Sequence, residues 1–241
     1  MKRVLILLLV LLSMMSLMAK TYKIVYEEYP PYEFKSGGKL TGLDVDILNA
    51  IATKNNINFD FVEVPWERAL HMVQIGEADG IISLFATDER KAFLNFPSEG
   101  LAYEKNVIFA RKSFKGDIKN INEMKENLIG VTSGYSYGKT FDNAKNIKKD
   151  ASKDQETMVK KFINKRFDLF ITNELVGHHM LKSQNFSDYK TLSYVGDNQM
   201  LYIGISKKSA NSKELFDIVN KSLNEMKASG ELNKIRAKYI K

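Results

Sequence analysis

Along the chain, short apolar runs alternate with stretches in which apolar residues recur every three or four positions. Residues 22–28 (Tyr-Lys-Ile-Val-Tyr-Glu-Glu) read as a strand, which Pro30-Pro31 ends because proline supplies no ladder donor. Gly37-Gly38 marks a turn, and Asp44 is read as the cap of a helix to Asn55 with Ile47, Leu48, Ile51 and Ala52 on one face. A second strand is expected over 57–64. Pro65 breaks it, and a helix follows from Trp66 to Ile75 with Gly76 as its C-cap. Residues 79–84 form a short apolar run, read as a buried strand. Residues 22–97 therefore read strand–helix three times over, which is the pattern of a parallel α/β sheet with helices on its faces.

The pattern then begins again. Strands are expected at 106–111, 128–132, 167–172, 192–195 and 200–206. A small polar loop spans 133–138 and a short helix starts at Lys139. Longer helices are expected at 154–164 with Asp154 as cap, at 173–182 with Asn173 as cap, and at 212–228, with a last helix after Gly230. The expected fold class is α/β, with two lobes of similar size. In such sheets ligands bind beyond the carboxyl ends of the strands. Those ends carry Tyr29, Trp66, Ser83, Phe85 to Arg90, Ser133 to Tyr137 and Asn173-Glu174.

The first residues change the picture. Lys2 and Arg3 precede an apolar run, and Leu17-Met18-Ala19 ends in a small residue, so 1–19 reads as a signal peptide cleaved after Ala19. The chain has no Cys, which leaves no disulfide and no site for a lipid on a cysteine after the signal. The mature protein is expected to be exported, untethered and monomeric. Losing Lys2 and Arg3 lowers the formal charge from +7 to +5. The lysines are interspersed with acids, which reads as solubility rather than a nucleic-acid surface.

The candidate chemistry centres on residues 87–90. Thr87 is read as an N-cap, Asp88 and Glu89 suit the first turn, and Arg90 adds a permanently charged planar fork beside free backbone N–H groups. Together they make a receptor for a carboxylate. The competing reading is a surface arginine paired with Asp88 or Glu89. His178 and His179 are adjacent and point to different helix faces, unlike metal ligands at i and i+4. No nucleotide loop, serine elbow or zinc signature appears, and neither metal nor cofactor is expected.

Taken in order, Tyr-Pro-Pro-Tyr-Glu-Phe34, Leu-Thr-Gly-Leu-Asp-Val-Asp46, Pro-Trp66, Gly-Glu-Ala-Asp79, Thr-Asp-Glu-Arg90, Asn-Phe-Pro-Ser98, Gly-Val-Thr-Ser-Gly134 and Arg-Phe-Asp-Leu-Phe-Ile-Thr-Asn173 resemble the family-3 periplasmic solute-binding proteins of amino-acid ABC importers. The ending Met-Lys-Ala-Ser-Gly-Glu-Leu-Asn-Lys-Ile matches as well. The resemblance implies a two-lobe periplasmic-binding-protein (Venus flytrap, type II) fold with two chain crossovers, lobe one at 20–104 plus 201–241 and lobe two at 105–200. It implies a small polar ligand, often an amino acid, captured between the lobes for a membrane permease. The family's ligand arginine falls on Arg90, its aromatic platforms on Tyr29 and Trp66, and its second-lobe anion loop on Gly134 to Tyr137, including Ser136.

Three departures bear on specificity. Asn173 stands where the family usually has an Asp for the ligand's ammonium, so a ligand without a free amine is expected unless Glu174 substitutes. Phe85 stands where many members have a hydroxyl. The Pro-Trp-Glu-Arg68 variant makes Arg68 a candidate second cation at the cleft. An alternative from another class is a periplasmic dehydratase of the cyclohexadienyl type on the same fold, with Glu174 or Glu28 as proton donor. A ligand sensor is a third reading. The export reading predicts a secreted form starting at Lys20; intact-mass measurement checks this, and a membrane-bound species retaining residues 1–19 overturns it.

Overall fold

The computed structural model describes residues 19–240, so the signal read at 1–19 lies outside the described residues except for Ala19. Strand β1 (Lys20–Tyr26) runs through a cis Pro30-Pro31 turn into a hairpin of β2 (Phe34–Ser36) and β3 (Lys39–Thr41). Then come α1 (Leu43–Asn55), β4 (Ile57–Glu63), α2 (Trp66–Ile75) and β5 (Gly80–Leu84). The single-turn α3 (Asp88–Lys91), β6 (Leu94–Asn95) and β7 (Ala102–Glu104) complete this stretch. The next is β8 (Asn106–Arg111), β9 (Leu128–Thr132), α4 (Lys139–Asp142), β10 (Lys148–Ser152), α5 (Gln155–Ile163), β11 (Leu169–Asn173), α6 (Glu174–Ser183) and β12 (Tyr189–Val195). The chain closes with β13 (Gln199–Ser206), α7 (Ser212–Ala228) and α8 (Glu231–Arg236).

Two sheets result. The first has the order β4-β1-β5-β13-β6 with β7 also on β13; the second has β10-β9-β11-β8-β12. The strands expected over 22–97 are parallel, β1 pairing with β4 and β5, but neither sheet is wholly parallel: β13 runs antiparallel to β5, β6 and β7, and β8 runs antiparallel to β11 and β12. These are the strands that enter or leave a lobe at a crossover, and they arrive from the opposite end. The two crossovers lie side by side. β7 pairs with β13 from Gln199↔Glu104 to Leu201↔Ala102, and Gly196 N–H donates to the Asn106 carbonyl at 2.8 Å. Each sheet is covered by apolar clusters, for example Ile47, Leu48 and Ile51 of α1 with Leu215, Val219 and Leu223 of α7 on the first, and Met158 and Phe162 of α5 with Phe109 and Phe170 on the second.

Most local signals hold. Gly76 takes the left-handed conformation (φ 87°) that ends α2, and Asp154 accepts from Thr157 N–H at 2.6 Å to cap α5. Strand β10 has the polar sequence Lys-Lys-Asp-Ala-Ser at a sheet edge, and its mostly exposed positions leave no apolar period to read. Asp44 is not the cap of α1. Gly42 holds that place at φ 130°, where a Cβ would meet the Tyr32 carbonyl at 2.2 Å, and Asp44 faces the core with 0% exposure.

A buried acid cluster follows from that displacement. The Ser83 hydroxyl lies 2.5 Å from Glu33 Oε2 and 2.6 Å from Asp44 Oδ2. One hydroxyl has one proton to donate, so one of the two acids must itself be protonated and donate to the serine. Burial pushes Asp44 up from 3.8 to about 7, and burial together with the Asp44 charge raises Glu33 well above its ordinary value. The folded chain thus holds a proton that the unfolded chain releases. That contribution to stability is present below about pH 4 and is lost as pH rises through about 7. Urea unfolding between pH 4 and 7 is expected to show a fall in stability that Asp44→Asn flattens, by up to about 1.4 kcal/mol per pH unit for one proton; equal slopes for the two proteins overturn the shared-proton reading.

Candidate functional site

The carboxyl ends of β1 and β5 and the start of α2 meet the loop after β9 across a narrow cleft. Thr87 accepts from Arg90 N–H at 3.2 Å, which caps α3 and turns the arginine inward. Arg90 is 6% exposed, and among the described residues it pairs with no carboxylate. Asp88 instead pairs with Lys139 at 3.1 Å and Lys91 at 3.5 Å. The Arg90 guanidinium donates to the Phe85 carbonyl at 3.2 Å and, across the cleft, to the Gly134 carbonyl at 3.1 Å, with its carbon 5.3 Å from the Trp66 ring centre. Burial lowers its pKa to about 10, so it remains a cation at neutral pH.

The loop after β9 is fastened to the first lobe from several directions. Trp66 Nε1 donates to the Gly134 carbonyl at 2.9 Å, the Ser133 hydroxyl to Glu67 at 2.5 Å, and the Tyr135 hydroxyl to Glu27 at 2.7 Å. The Tyr135 ring stands edge-on to Trp66 at 5.2 Å and to Tyr29 at 6.2 Å. Gly134, at φ 71°, brings its backbone against the indole, where a Cβ would lie 3.1 Å from Trp66 Cδ1. The enclosed space beneath is about 30 Å³, room for a water molecule or two. A larger opening of about 910 Å³ lies beside it and shares Arg90, Tyr135, Ser136 and Tyr137 as lining.

Of the residues singled out by sequence, Tyr29, Trp66, Ser83, Phe85, Arg90, Ser136 and Tyr137 line the enclosed space. Arg68 does not; it is exposed in the first turn of α2, two residues after Trp66. Asn173 is buried beside the cleft, but its side-chain oxygen accepts from Leu175 N–H at 2.8 Å and Val176 N–H at 3.1 Å, and its amide donates to the Tyr32 hydroxyl at 3.0 Å. Glu174 points away and pairs with Lys105 at 3.0 Å, so the expectation that it supplies the missing charge fails on geometry. Glu28, the other proton-donor candidate, is exposed and accepts from Lys35 N–H. The loop's N–H groups are not all free for an anion either: Tyr137 N–H donates to Asp142 at 2.9 Å, and the Ser136 hydroxyl to the same carboxylate at 2.5 Å.

Sequence reasoning missed Glu33, Glu104 and Asn106 and placed Tyr135 only within the loop of 134–137; all four line the space. Glu104 is 3% exposed, accepts from the Tyr29 hydroxyl at 3.0 Å, and is pushed up to about 7 by burial. The signal for it was a polar break, Glu104-Lys105-Asn106, between the apolar stretches at 101–103 and 107–110. Among the described residues no group of His, Cys, Asp or Glu is placed to hold a metal ion.

The comparisons agree with this geometry. The sequence profile of "Bacterial extracellular solute-binding proteins, family 3" matches residues 23–241. The probable amino-acid-binding protein YxeM of Bacillus subtilis is 29% identical over 217 residues, which cover 87% of this chain and 80% of that protein. The histidine-binding periplasmic protein of Escherichia coli K12 is 27% identical over 224 residues, covering 88% and 84%. An ancestral arginine-binding protein bound to arginine superposes with a TM-score of 0.80 at 24% identity, over 93% of this chain and all of that one, so the two share the type II periplasmic-binding-protein fold. With one profile spanning nearly the whole described chain and both lobes in place around the buried arginine, this chain belongs to the bacterial extracellular solute-binding proteins, family 3.

Proposed function

We propose that the protein captures a small carboxylate-bearing solute, an amino acid or a close relative of one, between its lobes outside the cytoplasm and presents the closed form to an ABC permease. The observation that carries this reading is Arg90, a buried cation whose guanidinium hydrogen-bonds, among the described residues, to two carbonyls, one from each lobe. A carboxylate offers a bidentate, charge-assisted partner in their place. Relatives named for amino acid, histidine or arginine binding support the ligand class.

The lobes are taken as 20–104 plus 201–241 and 105–200, with the adjacent β7–β13 crossovers as hinge. An amino acid does not fit in about 30 Å³, so entry requires the loop carrying Tyr135 to swing away with lobe two and close again over the ligand. Closure driven by a shared anion site is a population shift that a permease can recognise. The mature form acts in the periplasm as a monomer and needs no cofactor. It binds without turnover, a reading supported by relatives named as binding proteins and by the place of Glu174 and Glu28 outside the enclosed space.

Removing one member of a desolvated charge pair costs about 3–5 kcal/mol, so Arg90→Ala is expected to weaken binding by roughly a hundredfold or more. Calorimetry with whichever of the twenty L-amino acids most raises the wild-type melting temperature measures this; unchanged affinity overturns the role of Arg90. In the same samples NMR is expected to show no conversion of that ligand, of prephenate or of arogenate, and turnover moves the protein to the dehydratase reading.

A further inference from the structure

We infer that Glu104, on the strand that crosses from one lobe to the other, is the residue that receives a ligand's ammonium group. The cleft is then built for zwitterionic amino acids despite the neutral Asn173. The inference rests on the amino-acid-binding reading and names the half of the ligand that Arg90 does not explain.

It follows from an accounting of acceptors around the enclosed space. Asn173 offers none: both lone pairs of its side-chain oxygen are used in capping α6, and its amide nitrogen donates to Tyr32. Glu174 is drawn to Lys105. Glu27 accepts from the Tyr135 hydroxyl and, at 3.3 Å, from Trp66 N–H. Glu33 is tied into the cluster with Ser83 and Asp44. Glu104 is the remaining acid in the lining, and it accepts from the Tyr29 hydroxyl on Oε2.

Two further observations point the same way. Asn106 lines the same space, and its fully buried side-chain nitrogen makes no well-formed hydrogen bond, even with the Glu104 carboxylate beside it. Such a donor is costly to leave unmade, and an oxygen of a bound ligand beside Glu104 supplies its acceptor. Arg90 and Glu104 also line the same space, so the opposed charges of one amino-acid backbone can meet both. A carboxylate held near neutrality by burial ionises readily once an ammonium arrives.

The test compares L-arginine, L-histidine and L-glutamine with their desamino analogues, 5-guanidinopentanoate, imidazole-4-propionate and 4-carbamoylbutanoate. Calorimetry is run on the wild type, on Glu104→Gln, and on Glu104→Gln combined with Asn173→Asp. The wild type is expected to prefer at least one amino acid over its analogue by about tenfold or more, and Glu104→Gln to abolish that preference while the analogue binds as before. Asn173→Asp still caps α6 and returns a carboxylate to the neighbouring position, so the double variant is expected to recover part of the preference. Unfolding curves check the fold, and Glu104→Asp, expected to keep a weakened preference, stands in if the glutamine variant does not fold. A preference unchanged in Glu104→Gln, or an equal loss for amino acid and analogue, overturns the inference alone. A wild type that binds only the analogues also overturns it while leaving carboxylate capture intact, and one that binds none of the six overturns both readings.

Discussion

The contact on which the rest of the cleft depends is the one between the Arg90 guanidinium and two backbone carbonyls, Phe85 on its own lobe and Gly134 on the other. A buried guanidinium must have acceptors, since an ion taken out of water without them costs several kcal/mol. Here they come from dipoles rather than from a counter-charge. Arg90 is thus satisfied enough to stay ionised and short of the partner that would suit it best. The same Gly134 carbonyl accepts from Trp66 Nε1, so one backbone oxygen of the second lobe is gripped by two side chains of the first.

That grip explains why the second lobe carries such a compact loop. Gly134 is in a left-handed conformation and lies against the indole, and an L side chain there would be strained and would crowd Trp66. Tyr135 then extends into the cleft between Trp66 and Tyr29 and reaches Glu27. The ring fills space that a solute would need, and its hydroxyl gives lobe closure a hydrogen bond of its own. The closed form therefore has support from within the protein. A ligand has to gain more from Arg90 and its surroundings than the loop loses when it moves.

The acid side of the cleft rests on the same shortage of water. Glu33, Asp44 and Glu104 are buried, and desolvation raises all three above the ordinary carboxylate range. Their hydrogen-bond partners are neutral: Ser83 between the first two, Tyr29 on the third. One side of the enclosed space is therefore fixed and cationic, and the other holds acids whose charge depends on what comes near them. The adjacent crossovers place Glu104 and Asn106 on the two sides of Lys105, at the end of β7 and the start of β8.

Much of the fold was legible along the chain because its signals are local. The alternation of apolar runs and amphipathic stretches, Gly76 after α2, and the caps Thr87, Asp154 and Asn173 each depend on a few neighbouring residues. Arg90 and the aromatic residues at strand ends were legible for the same reason. The polar edge strand β10 was not, since an edge needs no apolar period, and neither was the displacement of Asp44 from cap to core, which Gly42 and the Tyr32 carbonyl decide across the turn. The cap reading of Asn173 already commits its oxygen to the helix, but nothing in the sequence around it shows that Glu174 turns toward Lys105. Glu104 becomes a cleft residue only when two distant crossovers pair, and Tyr135 meets Trp66, Tyr29 and Glu27 only when its loop lands on a helix of the other lobe. The sequence by itself determined the elements, the two-lobe plan and the cation. Which acids face that cation was decided by tertiary structure, because burial and the competition for hydrogen-bond partners exist only after the lobes have met.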